Sequence, residues 1–143
     1  MCKAIDVANY FMSLTEDEAG DSITNLKMQK LVYYAQGFAL AIFNAPLFSE
    51  DIEAWTYGPV VPELYHEFKQ YGGNPIPRPD HFDCSMFSEE EKNLLDNVYS
   101  EYGQFSAWRL RDMTHNEPPW KNTQVGSVIT HDEMKKYFST LVE

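Results

Sequence analysis

The stretch from Ile52 to Tyr71 limits the fold more than any other part of the chain. Ile52-Glu53-Ala54-Trp55-Thr56-Tyr57 has the alternation and aromatic content of a short strand. Gly58-Pro59 is expected to stop it, because glycine permits a positive φ and proline removes a ladder donor. Pro62 then stands where a first helical residue tolerates proline, and Val61, Leu64, Tyr65 and Phe68 follow at helical spacing. Gly72-Gly73 closes that helix in the manner of a left-handed cap. Strand, turn and helix thus hold Trp55, Tyr57 and Tyr65 at set places. This is a shaped surface and carries no catalytic motif.

The flanking sequence reads as helices. Ala4, Ile5, Ala8, Phe11 and Met12 recur at three- and four-residue spacing and predict a first helix to about Leu14, broken by the acidic stretch from Thr15 to Asp21. Ser22 or Thr24 caps a second helix with Met28, Leu31, Ala35, Phe38 and Ile42 on one apolar face, terminated by Asn44-Ala45-Pro46. Pro75, Pro77 and Pro79 stiffen the loop after Gly73. Ser88-Glu89-Glu90-Glu91 is a capping box for a helix carrying Leu94, Leu95, Val98, Tyr99 and Tyr102, with Gly103 as its stop. Ser106 starts a short helix with Leu110 and Met113 inward. Thr130-His131-Asp132-Glu133 is a second capping box, before Met134, Tyr137, Phe138 and Leu141. Pro46–Phe48 and Ser127–Ile129 are both candidates to pair with the Ile52 strand. The expected fold is mainly α: one compact domain over residues 1–143, of about six helices with a small antiparallel β element.

Composition narrows the function. An apolar content of 43%, 15% aromatic, in 143 residues suffices for a core. The net charge of −11 opposes binding to a phosphate backbone, so no direct nucleic-acid partner is expected. The acidic surface either is simply solvated or meets a basic partner. Cys2 and Cys84 form no paired framework, no secretory leader is visible, and no run reaches the ~18 apolar residues of a membrane span. A soluble protein of the reducing cytoplasm, without a membrane partner, is expected.

Chemistry finds little support. There is no phosphate-binding glycine loop and no nucleophile elbow. His66-Glu67 is half of a zinc-protease motif, with Gln70 where the second histidine belongs. His81-Phe82-Asp83-Cys84 offers too few ligands for a zinc site, and Cys84 has no evident activating base. Glu16-Asp17-Glu18 lacks calcium-loop spacing. Thr114-His115-Asn116-Glu117-Pro118-Pro119-Trp120 either lines a small cleft or is a helix exit stopped by its prolines, with Trp120 docked on the core. No cofactor, metal or catalytic residue is expected.

The run from Ile23 to Gly37, Pro46-Leu47-Phe48, the Ile52–Tyr71 segment, and Leu110-Arg111 followed by Thr114-His115 and Pro119-Trp120 together resemble the Panacea domain. This is the SocA-like antitoxin family, which includes phage-associated GepA-like proteins. The resemblance spans nearly the whole chain. It implies a non-catalytic antitoxin that neutralises a toxin encoded nearby, in a prophage or mobile element, by protein–protein contact. One route in such families makes the antitoxin an adaptor that hands its toxin to an ATP-dependent protease. The residues expected to meet a partner are Lys27, Lys30, Trp55, Tyr57, Tyr65 and His66. Lys27 and Lys30, with Gln29 and Gln36, either face solvent or pin the neighbouring motif. Two alternatives remain. One is a small phage-borne hydrolase, metal-dependent or cysteine-based, using His66, His81, Cys84 or His115. The other is a phage or host interaction module without a toxin.

Overall fold

A computed structural model describes residues 1–15 and 22–142. Its elements are α1 (Ala4–Ser13), α2 (Asn25–Phe43), β1 (Ile52–Trp55), β2 (Gly58–Val60), α3 (Pro62–Phe68), α4 (Glu89–Tyr102), α5 (Ala107–His115), α6 (Pro118–Lys121), β3 (Val128–Ile129) and α7 (His131–Ser139). The fold is therefore mainly α with a small antiparallel sheet, as expected. The acidic stretch from 16 to 21, including the calcium-loop candidate, lies outside the described residues.

Capping chemistry sets most helix starts. Thr24 accepts from the Lys27 N–H and Ser106 from the Arg109 N–H. Ser88 and Glu91 form the full reciprocal box, while Thr130 accepts from the Glu133 N–H. Pro62 occupies the first turn of α3, where its missing N–H leaves no bond unmade. Asn44 ends α2 in the left-handed conformation, φ 56°.

Helix α2 departs from its expected one-sided stripe. Met28, Leu31 and Ala35 are buried, but so are Asn25, Gln29, Lys30, Tyr33, Tyr34 and Gln36 on its other sides, while Ile42 is 53% exposed. The reason is position: α1, α3, α4, α5, α7 and β2 all contact this helix, so its polar face is enclosed too. Its closest approach is to α7. A Cβ on Gly37 would lie 2.1 Å from the Phe138 ring, so only glycine lets the two helices meet there. On α7, Met134 and Phe138 are buried, but Leu141 lies past the helix end and is exposed.

The sheet has the order β2-β1-β3, all antiparallel. Of the two candidate partners for β1, Val128–Ile129 forms β3, while Phe48 makes an isolated parallel bridge to Cys2. Gly58-Pro59 does not end the strand structure. The chain turns at Thr56-Tyr57, and Gly58-Pro59-Val60 returns as β2, with Trp55 opposite Gly58 and Ala54 opposite Pro59. Two features allow this. Neither Thr56 nor Tyr57 has a positive φ, and Gly58 takes it instead, at 116°. Ala54 directs its backbone to the other side, with N–H to Ser127 O at 2.9 Å and C=O to the Gly126 N–H, so Pro59 on the edge strand breaks no ladder bond.

Candidate partner-binding surface

The β1–β2 hairpin projects beside α3 and is fixed from below by α2. Gln29 is the main anchor. Its carbonyl oxygen accepts from the Val61 N–H at 2.9 Å, and its amide nitrogen donates to Asn25 Oδ1 at 2.8 Å. Asn25 in turn donates to Tyr65 O at 3.2 Å. Gln36 repeats the device on the preceding segment, donating to Phe48 O at 2.9 Å and accepting from the Leu47 N–H at 2.8 Å. Each buried amide meets backbone groups that would otherwise be unpaired, which makes both glutamines pins of the neighbouring motif.

The C-terminal motif grips the hairpin from the opposite side. Trp120 Nε1 donates to Trp55 O at 2.8 Å. The His115 ring stacks on Trp120, centroids 4.0 Å apart and 13° from parallel, and hydrogen-bonds the Thr56 backbone. Burial and the Arg111 charge hold this imidazole below its usual pKa, against the pull of the Thr56 bond. Glu117 serves a different end. Its buried carboxylate accepts from Tyr33 at 3.0 Å, from Tyr34 at 2.7 Å and from Tyr137, tying α2 and α7 to the turn before α6. Burial pushes that carboxyl up to about 7 although the three hydroxyls hold it down. The helix-exit reading of this motif is the one the geometry bears out.

The candidate contact residues separate into two sets. Trp55, Tyr57 and Tyr65 line one open groove of about 610 Å³ between the hairpin and α3, together with Asn25, Lys69 and Val125. Trp55 and Tyr65 meet edge to face at 5.0 Å, and Trp55 Nε1 donates to Glu53 Oε1 at 2.9 Å. His66 is exposed on α3 with its ring against Tyr65. The two lysines are elsewhere. Lys27 donates to Gly103 O at 2.7 Å, which ties α2 to the turn between α4 and α5. Lys30 requires correction as a surface residue, since it is 0% exposed. Its amine lies beneath the hairpin, where a Cβ on Gly58 would come within 2.7 Å of Lys30 Cε and 3.3 Å of Nζ. Desolvation, then the Arg111 charge, lowers the Lys30 pKa to about 7.

Two neighbours of Tyr57, exposed Trp108 and half-buried Arg111, were not read from the sequence as contact residues. Trp108 and Arg111 on α5 reach it across the surface, and the spacing Trp108-x-x-Arg111 was the available signal, since three residues apart on a helix share a face. The histidine and cysteine candidates form no comparable group. His115 is engaged by Thr56 and Trp120, and His66 stands beside Tyr65. Among the described residues no three His, Cys, Asp or Glu side chains gather as a metal site. Nor is any described helix long and apolar enough to cross a membrane.

Comparison with known proteins places this architecture. The chain is 44% identical over 50 residues to the antitoxin SocA of Caulobacter vibrioides (strain NA1000 / CB15N), a match covering 35% of this chain and 27% of that protein. The chain thus matches about a quarter of that relative's length. No solved structure matches it. Residues 28–121, which hold most of α2, the hairpin, α3 and the His115–Trp120 clamp, match the family described as Antitoxin SocA-like, Panacea domain, and the chain belongs to that family.

Proposed function

We propose that this chain is an antitoxin that neutralises a protein toxin encoded beside it by direct contact, without chemistry of its own. The observation that supports this most is the groove between hairpin and α3. Three aromatics of the family segment, Trp55, Tyr57 and Tyr65, are spent there on an open surface. Aromatic rings held rigidly at a surface are the usual anchors of protein interfaces, because they bury much area at little cost in side-chain entropy. The net charge of −11 adds a long-range field that speeds encounter with a basic partner. The setting consistent with two free cysteines is the cytoplasm.

The test is a growth-rescue assay. Each adjacent gene is induced alone, then together with this one, and the two products are co-purified. Rescue with a stable complex is the expected result. Rescue with disappearance of the toxin, reversed by removing a cytoplasmic ATP-dependent protease, assigns the adaptor route. A toxic neighbour that this chain neither rescues nor binds overturns the reading. So does the absence of any toxic neighbour, which leaves the interaction module without a toxin.

A further inference from the structure

Tyr57 at the hairpin tip is 54% exposed and Trp108 in the first turn of α5 is 58% exposed. Their rings meet edge to face, 6.1 Å apart at 87°. Arg111, one turn beyond Trp108, sets its guanidinium carbon 5.6 Å from the Tyr57 ring centre and 5.2 Å from that of Trp108. Trp, Tyr and Arg are the three residue types most enriched where interfaces concentrate their energy. Here all three stand together, Tyr57 and Trp108 exposed and Arg111 half-buried.

The cluster is also short of acceptors. Arg111 Nη1 meets Asp112 Oδ1 at 3.0 Å, but its Nε is buried without a partner among the described residues. So are Lys30 Nζ, below the same hairpin, and His115 Nε2, on the helix turn after Arg111. The charge acting on Lys30 is that of Arg111, and both act on His115. The Arg111 charge thus disfavours protonation of both neighbours in a chain of net charge −11. A buried donor left unpaired costs stability, so each such group calls for an explanation.

The geometry points to a carboxylate-recognition site formed by Tyr57, Trp108 and Arg111, above the unpartnered Lys30 and His115, which takes an Asp or Glu side chain of a protein partner. Arg111, with Nη1 held by Asp112 and its Nε buried, offers Nη2 from a part-exposed side chain, which suits a small acceptor better than a phosphoryl group that calls for several donors. The two rings wall that end with apolar surface, so the acid is expected beside an apolar residue. Lys30 does not reach solvent. In its charged form it acts by its field, at short range and in a low dielectric. The antitoxin reading supplies only the identity of the protein that brings the acid, and the site is tested without it.

The experiment uses the full chain, labelled with nitrogen-15, and follows the Trp108 indole N–H and the Arg111 Nε–H. The probes are acetyl-Phe-Glu-Phe-amide, the matched Phe-Gln-Phe peptide, and inorganic phosphate. The expected result is a saturable shift of both signals with the Glu peptide, about tenfold tighter than with the Gln peptide. Arg111→Ala abolishes it and Arg111→Lys restores only part, because the lysine keeps the charge and loses the fork. Trp108→Ala, at an exposed position, weakens binding in a chain whose melting temperature is unchanged. Equal affinity for the two peptides shows only a sticky aromatic pair and overturns the proposal. Phosphate binding more tightly than the Glu peptide overturns the choice of ligand. Absence of any shift, or the same shift in Arg111→Ala, overturns the site.

Discussion

Two buried polar clusters lie along the C-terminal motif and differ in completeness. Around Glu117, every donor aimed at the carboxylate finds it: Tyr33, Tyr34 and Tyr137 converge on two oxygens. Around Arg111, Lys30 Nζ, Arg111 Nε and His115 Nε2 find nothing among the described residues. The first cluster binds α2 and α7 to the start of α6, so its energy is realised in the fold. The second sits under exposed Tyr57 and Trp108, with only the part-exposed end of Arg111 reaching the surface. A complete network reports on architecture, and an incomplete one at a surface reports on binding.

The largest effect that separates them is Glu117→Ala. It strands three tyrosine hydroxyls and leaves a cavity, so unfolding by urea should show a loss of about 3–5 kcal/mol. A loss under about 1 kcal/mol breaks the comparison, because the network would then hold nothing together.

The pH profile comes next. The Glu117 carboxyl is raised from 4.5 to about 7, so the folded state keeps its proton longer than the unfolded chain. That contribution is fully present below 4.5 and is lost as pH rises through about 7, at up to ~1.4 kcal/mol per pH unit. The Lys30 amine is lowered from 10.5 to about 7, so its contribution runs the other way and grows as pH rises above about 7. The two groups together should place a shallow minimum of stability near neutrality, measurable as unfolding free energy at pH 5, 7 and 9. Glu117→Gln should flatten the acid arm and Lys30→Met the alkaline arm. A profile in which neither variant changes its own arm contradicts the assignment of both groups.

Lys30→Met gives a smaller change of opposite sign to Glu117→Ala. Methionine fills a similar volume without an unpaired amine, so the chain should gain about 1–2 kcal/mol at pH 7 by thermal melting. Destabilisation would show that the amine has a partner in the fold and would close the gap between the clusters. Trp108→Ala is the smallest, within about 0.5 kcal/mol of the parent, because the ring is exposed.

Sequence captured the elements governed by neighbours along the chain. Thr24, Ser88, Ser106 and Pro62 act within one turn of their own position, and each starts a helix as expected. It missed what depends on distant packing. Gly58-Pro59 looked like a stop because nothing local reveals that Ala54 bonds toward Ser127 and leaves the proline unchallenged. Lys30 counted among the contact candidates as a polar residue of the family motif, with solvent exposure and pinning both open, and only the hairpin folding over α2 encloses it. Glu117 was read as part of a helix exit, which is where it lies, but its tyrosines on α2 arrive from more than eighty residues away. Of the candidate surface, Trp55, Tyr57 and Tyr65 were legible from their spacing. Trp108 was not singled out and Arg111 appeared only as a motif residue, since their meeting with Tyr57 joins α5 to the hairpin.

One pair of numbers from one variant decides the account: the melting temperature of Lys30→Met, and its affinity for the toxin co-purified in the rescue assay. If the Arg111 cluster is kept incomplete for a partner, the variant melts higher and binds the toxin more weakly than the parent. A variant that melts higher and binds equally well, or that loses stability and affinity together, contradicts that claim.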